Sequence, residues 1–184
     1  MTLPQSVTGR LTEKRVKDRL RALGLVAYKP VPDIGIDLIV YNPYNPNRKA
    51  KIQVKGRNPK KVRSYRWFQL RVSANEIRKI IMAGLPPDIA WQDKVNKADF
   101  FILDAVHLNE MWIFPKSKVF ELIRMNGQQY GRRPDNVFED VNVIKPKQKE
   151  MNLDALYNGA PIRNHFFACR NNFNPIMEFI GINN

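Results

Sequence analysis

Apolar residues follow a helical spacing near the start of the chain. Val16, Leu20 and Leu23 recur three or four positions apart and predict a helix over residues 9–23. Extending this apolar face back by one turn reaches Glu13. A carboxylate is therefore expected at the end of the stripe that packs against the rest of the protein.

An alternation of apolar and polar residues follows and predicts three strands. These strands cover residues 36–41, 51–55 and 67–72. The connection at 42–47, NPYNPN, has the Asn and Pro content of a turn, so the first two strands are expected to pair as an antiparallel hairpin. In the second strand, Gln53 and Lys55 share the polar face.

The rest of the chain alternates helices and strands. Ser73 and Glu76 have the spacing of a capping box and predict a helix that ends near Met82. Further predicted elements are strands at 100–106 and 111–114 and a helix at 117–126, while the signal weakens over 127–184. This order predicts the α/β class, with a central mixed β-sheet flanked by helices.

Composition excludes several classes of protein. A hydrophobic content of 43% and an aromatic content of 10% are those of a folded domain, and 184 residues suffice for one such domain with a small appendage. A single cysteine, Cys169, excludes a disulfide scaffold and indicates a reducing, cytoplasmic location. We expect no membrane span and no secretory signal, since the chain has no long apolar run.

Positive charge is concentrated in the first part of the chain. The net charge is +14, and residues 1–75 hold 17 Lys and Arg against 4 Asp and Glu. Between Asp37 and Glu76 there are ten basic residues and no acid. Clustered cations bind phosphate backbones by releasing counterions, so nucleic acid is the expected partner. A basic surface that only aids solubility, or one that meets an acidic protein, is the alternative.

Four polar side chains are expected to converge at one end of the hairpin. Asp37 interrupts an apolar strand, Gln53 and Lys55 share one face of the next strand, and Glu13 ends the stripe of the first helix. Mg²⁺ prefers oxygen ligands of this kind, and such an ion activates water for phosphodiester hydrolysis. A neighbouring lysine stabilises the charge that develops on the phosphate. Structural salt bridges among these four residues are the alternative.

The residues that carry this pattern are Glu13, the run DIGID at 33–37 and the run IQVKG at 52–56. They resemble the motifs of the PD-(D/E)xK nuclease superfamily, which includes restriction enzymes, Holliday-junction resolvases and some homing endonucleases. The resemblance covers residues 9–72 by motif and extends to about 126 by the order of elements. It implies a restriction-endonuclease-like core and a Mg²⁺-dependent DNA endonuclease, with Mn²⁺ as an alternative ion, that leaves a 5′-phosphate and a 3′-hydroxyl.

The resemblance also assigns roles to individual residues. Asp37 matches the metal-binding Asp, Lys55 matches the catalytic Lys, and Glu13 matches the helix Glu of the resolvase-like branch. Gln53 stands where the family has an acid, and the main-chain carbonyl of Val54 completes the metal shell. Because Gln53 is neutral, we expect weaker metal binding. A nucleic-acid-binding protein on a degenerate nuclease fold is therefore the rival interpretation.

The predicted contacts to DNA lie in the basic stretch and on the first helix. These residues are Lys14, Arg57, Lys60, Lys61, Arg63, Arg66, Gln69 and Arg71. Cutting two strands of a duplex or junction needs two active sites, so a homodimer or higher symmetric oligomer is expected. Residues 1–126 would form the nuclease core. Residues 127–184 would form an extension that packs on this core or lies at the oligomer interface.

Overall fold

A mixed five-stranded sheet lies at the centre of the computed structural model, which describes residues 5–32, 35–57, 66–86, 89–129 and 147–182. The helices are α1 (Gln5–Ala22), α2 (Ala74–Met82), α3 (Ile89–Asn96), α4 (Lys116–Gln129), α5 (Ile162–His165) and α6 (Asn174–Phe179). The strands are β1 (Val26–Tyr28), β2 (Leu38–Asn42), β3 (Asn45–Arg57), β4 (Trp67–Val72), β5 (Phe100–Ala105), β6 (Glu110–Pro115), β7 (Lys147–Asn152), β8 (Leu156–Tyr157) and β9 (Ala160–Pro161). Among the described helices, none has the length and apolar composition needed to cross a membrane.

The five strands run in the order β1-β2-β3-β5-β6. The pair β3 and β5 is parallel, and the other neighbours are antiparallel, so the sheet is mixed. With helices on both faces, the predicted α/β class with a mixed sheet flanked by helices is confirmed. The hairpin of β2 and β3 is confirmed as well, with Leu38 opposite Ile52.

Two hydrophobic clusters cover the two faces of this sheet. On one face, Val16 and Leu20 of α1 pack on Val40 and Ile52, as the helical stripe predicts. On the other face, Phe101 and the residues around it pack under α3, α4 and the pair β4–β7. The alternation of side chains along each strand assigns successive residues to the two clusters.

One predicted strand belongs to a different sheet from the one expected. The strand 67–72 has the predicted bounds, but it pairs with β7 in a separate two-stranded sheet, with Phe68 opposite Met151. The third antiparallel strand of the central sheet is instead β1, a three-residue strand that pairs with β2. Local alternation predicts a strand but does not name its partner, and β1 is too short to show alternation.

Several element bounds also differ from the prediction. The turn of the hairpin is narrower than 42–47, because Asn45 already pairs with Asn42. Helix α4 continues through Gly127 to residue 129, since the buried side chains of Met125 and Asn126 hold that turn against the core. The capping box at Ser73 is as predicted: its hydroxyl accepts from the Glu76 N–H at 3.2 Å, and the Glu76 carboxylate accepts from the Ser73 N–H at 2.7 Å.

Candidate active site

Asp37 lies where the ladder between β2 and β3 ends. Its main-chain N–H donates to the Ile52 carbonyl at 3.1 Å, and its carboxylate accepts from the Val54 N–H at 2.7 Å. The carboxylate thus accepts the hydrogen bond that a backbone carbonyl would accept at the next position of the ladder, and this directs it at β3. The Gln53 amide also donates to this carboxylate. Asp37 and Gln53 are therefore in direct contact, as the sequence predicts.

Gln53 is 7% exposed and lies beside Phe101 of β5. Since its Nε2 donates to Asp37, its Oε1 is directed elsewhere and is the atom that can act as an acceptor or ligand. The Val54 carbonyl lies on the same edge of the strand as the Val54 N–H, beside Asp37. The sequence pattern thus brings a carboxylate, an amide oxygen and a carbonyl to one point.

Lys55 is half-buried beside these groups. Burial lowers the pKa of Lys55, and the nearby Lys94 ammonium lowers it further, while the Asp37 and Glu13 charges oppose the shift. Burial raises the pKa of Asp37, and the Val54 N–H and the Lys55 ammonium oppose that rise. The two charges act on each other, so Lys55 lies within electrostatic range of Asp37.

Helix α1 reaches the site because β3 has a glycine at position 56. A Cβ atom on Gly56 would overlap the Thr12 side chain, so only glycine permits this close approach of helix and strand. Glu13 is the next residue of the helix, and its charge raises the pKa of Asp37. Glu13 is half-buried, and its carboxylate pairs with Lys29 at 3.2 Å. The structure thus puts Asp37 and Gln53 in contact, places Lys55 and Glu13 within electrostatic range of Asp37, and pairs Glu13 with Lys29.

Three lysines at the site were not predicted. Lys29 pairs with Glu13, and Lys94 pairs with Glu76 at 3.6 Å while its charge acts on Lys55. A Cβ atom on Gly35, which has φ +76°, would lie 3.9 Å from the Lys97 Nζ. Lys29 follows β1, Lys94 lies in α3 and Lys97 follows α3, all outside the run of ten basic residues. Only the folded arrangement brings Lys29 within range of the Asp37 charge, Lys94 within range of Lys55 and Lys97 beside Gly35, and the sequence carries no signal for it.

The predicted metal ligands are a small, all-oxygen set. Among the described residues, no group of three or more His, Cys, Asp and Glu side chains is arranged to hold a metal ion. The carboxylates of Asp37 and Glu13, the Oε1 of Gln53 and the carbonyl of Val54 nevertheless suit a hard ion such as Mg²⁺, which keeps several of its own waters. The donors fit such an ion, and two carboxylates indicate modest affinity.

The predicted DNA-contact residues that the structure describes occupy different environments. The Arg57 guanidinium stacks on the Trp67 ring, 4.7 Å from its centroid. Lys14 pairs with Asp18 at 2.6 Å on the exposed side of α1. Arg71 is exposed and donates to the Gln69 amide oxygen at 3.2 Å on β4. Outside the described residues lie Asp33, Lys60, Lys61 and Arg63.

Arg66 is bound within the protein. Its Nε and Nη2 donate to both carboxylate oxygens of Glu110 at 2.7 and 3.0 Å, and its Nη1 donates to Asp154 at 3.0 Å. These hydrogen bonds raise the pKa of Arg66 further above its ordinary value. The guanidinium therefore joins β6 to the segment after β7. A side chain held in this way has little freedom to contact a phosphate.

Comparisons with known proteins give a structural similarity but no sequence match. No protein-family model matches the chain, and no curated protein matches its sequence. Among solved structures, the chain is similar to a bacterial homing endonuclease, I-Ssp6803I, with a TM-score of 0.49 and 14% sequence identity over 96% of this chain and 94% of that one. At this TM-score the similarity supports no function. Any proposal of function must rest on the residues of the site.

Proposed function

We propose that the protein is a metal-dependent endonuclease that hydrolyses the phosphodiester backbone of double-stranded or branched DNA. The observation that carries the proposal is the contact of Asp37 with Gln53 and the Val54 N–H. The charges of Lys55 and Glu13 act on the same carboxylate and change its pKa in opposite directions. A carboxylate pair beside a half-buried lysine, at the end of a hairpin in a strongly basic chain, suits a phosphate substrate.

Each residue has a definite task in this proposal. Asp37 and Glu13, with the Oε1 of Gln53 and the carbonyl of Val54, would hold Mg²⁺ or Mn²⁺. When bound, the ion polarises the phosphate and lowers the pKa of water. Lys55 would place its ammonium against the scissile phosphate and stabilise the charge that develops there.

The rival function is DNA binding without cleavage. Gln53 favours it, because a neutral residue in place of an acid leaves two carboxylates to hold the ion. The two functions share salt-sensitive DNA binding and differ in turnover. We retain the endonuclease as the proposal, since a DNA-binding surface alone has no use for a carboxylate and an ammonium that are both half-buried and act on each other's charge, as Asp37 and Lys55 do.

Cleavage of supercoiled plasmid and of a four-way junction in the presence of Mg²⁺ tests the proposal. We expect wild-type protein to cut at least one substrate and Lys55→Ala to lose at least 100-fold in rate. Lys79→Ala, an exposed lysine on α2, is the matched control and should cut like wild type. No cleavage by wild type, or equal cleavage by Lys55→Ala, contradicts an enzymatic role and leaves the binding function.

Metal binding has its own measurement. Mn²⁺ should raise the thermal unfolding temperature of the wild type with the logarithm of its concentration once the site is filled, since a ligand that binds only the folded state stabilises it. Asp37→Asn should fold but lose this dependence on Mn²⁺. A shift of the same size in Asp37→Asn would place the ion elsewhere.

A further inference from the structure

A row of side chains runs from the candidate site along the hairpin, on the face that α1 does not cover. Leu38, Val40, Ala50 and Ile52 point to α1 and are buried. The residues between them therefore point the opposite way, because side chains alternate along a strand. We call these residues the strand face; its members are Tyr28, Ile39, Tyr41, Lys49 and Lys51.

The strand pairing orders the strand face into rows across the sheet. Tyr28 of β1 lies opposite Ile39 of β2, which lies opposite Lys51 of β3. In the next row, Tyr41 lies opposite Lys49. Asp37 and Gln53 form the row before these two. The strand face is thus a direct continuation of the candidate site toward the hairpin turn.

The other half of the same sheet face is closed. Phe101 and Leu103 of β5 lie beside Gln53 and Lys55 and are buried under α3 and α4. On β1, β2 and β3 the cover is missing from the described residues, and Lys49 and Lys51 are exposed. The candidate site therefore lies at the border between a covered and an open half of one sheet face.

An aromatic ring lies under one of the two lysines of the strand face. The Lys49 Nζ lies 5.8 Å from the centroid of the Tyr41 ring, and that ring meets Tyr28 edge to face at 6.2 Å. Tyr28 is 36% exposed, and Tyr44 at the hairpin turn is 95% exposed. A lysine over an aromatic ring is limited in its motion, so less entropy is lost when it binds a phosphate.

The charge of the strand face is one-sided. Residues 38–57 contain no acid, and Asp37 is the carboxylate at its end. Asp99, the residue before β5, lies beside Lys51, and its carboxylate accepts from the Lys51 main-chain N–H at 2.8 Å. One oxygen of that carboxylate is thus bound to the backbone of β3. The surface therefore suits a polyanion.

We propose that the strand face is the track on which duplex DNA lies to one side of the cleaved phosphate. The inference rests on the proposed function, since the site at one end of the track fixes where the cut is. From Lys55 to Lys49 the strand rises about 20 Å, at about 3.4 Å per residue. This length matches about six base pairs of duplex, whose phosphates Lys49 and Lys51 contact.

Binding of the metal-free full chain to a 30-base-pair duplex, followed by fluorescence anisotropy over a range of salt concentrations, tests the proposal. Each phosphate contact adds about 0.9 to the slope of log affinity against log salt. Lys49→Gln/Lys51→Gln should lower this slope by about 2, and Lys49→Arg/Lys51→Arg should restore it. The control Lys116→Gln/Arg124→Gln removes two exposed charges from α4 and should keep the wild-type slope.

The outcomes separate this inference from the proposed function. An unchanged slope in Lys49→Gln/Lys51→Gln, while wild type still cuts DNA with Mg²⁺, overturns the track and leaves the endonuclease. Equal losses in this variant and in the α4 control also overturn it, because total charge would then explain binding. If wild type neither binds nor cuts duplex DNA, the proposed function fails and the track fails with it.

Discussion

Asp104 shows how a single buried charge connects the first helix to the sheet. It is 0% exposed, and its Oδ2 accepts from the Arg15 Nε at 3.0 Å. Its Oδ1 has no hydrogen-bond partner among the described residues. Burial raises the pKa of Asp104, and the hydrogen bond to Arg15 only partly offsets the rise. The ion pair is thus a link between α1 and β5 whose desolvation cost exceeds its gain.

Asp104→Asn and Arg15→Met should therefore differ sharply in stability. The Asn keeps an acceptor for Arg15 and removes the buried charge, so its free energy of unfolding should stay within about 1 kcal/mol of wild type at neutral pH. Arg15→Met leaves a buried carboxylate without its partner and should cost about 3 kcal/mol or more. Urea unfolding measures both variants, and equal costs for the two would refute this account.

The pH dependence of these variants has a definite sign. Because the folded-state pKa of Asp104 lies above its unfolded value, the folded state binds more protons over that window, and stability falls as pH rises through it. Asp104→Asn lacks this loss, so its stability relative to wild type should improve from acid toward neutral pH. Arg15→Met should be least destabilised in acid. A relative stability of Asp104→Asn that declines toward neutral pH would reverse the assignment.

At the scale of elements, the contact between α1 and β3 depends on a single glycine. A methyl group at position 56 would overlap Thr12, so Gly56→Ala should displace the helix that carries Glu13 and cost about 1–3 kcal/mol. Gly127→Ala is the matched control, because a Cβ there meets nothing within 4 Å in α4 and should stabilise by up to about 1 kcal/mol. Thermal unfolding compares the two, and a neutral Gly56→Ala would contradict the close approach.

Distance along the chain explains which parts of the fold were predictable. The helix stripe, the hairpin and the capping box are local patterns, and the structure has them at or near the predicted positions. The partner of β4 is 75 or more residues away along the chain, and no local pattern encodes it. Lys94 joins the site through the short helix α3, whose apolar residues lack a clear stripe. Long-range packing, rather than local propensity, sets both the partner of β4 and the position of Lys94.

At the scale of the whole molecule, a salt-bridge network joins distant segments. Arg66 bonds Glu110 and Asp154, which also bond Arg170 and Arg163 respectively. Arg66→Gln should lower the free energy of unfolding by about 3 kcal/mol, since Glu110 is buried, and should leave the salt slope of DNA binding unchanged. Arg57→Gln, on a partly exposed stack, should show the reverse pattern. A lower salt slope in Arg66→Gln would mean that Arg66 contacts DNA after all.

The C-terminal segment bears on whether residues 1–126 form a domain that folds without it. Its described residues pack in both clusters: Met151 and Phe166 join the cluster around Phe101, and Phe173 and Ile176 join the one under α1. β7 is also the strand partner of β4. Removing residues 130–184 would therefore expose apolar surface on both faces of the central sheet and leave β4 unpaired in its own small sheet.

We accordingly expect a chain that ends at residue 129 to lose cooperative unfolding. Calorimetry should show no sharp heat-absorption peak, and a hydrophobic dye should bind strongly, as in a compact state without fixed packing. Supplying residues 130–184 as a separate chain should restore the peak in part, because the missing contacts are apolar and specific. A sharp transition in the shortened chain alone would instead establish an independent domain ending near residue 126, with the extension as a dispensable layer.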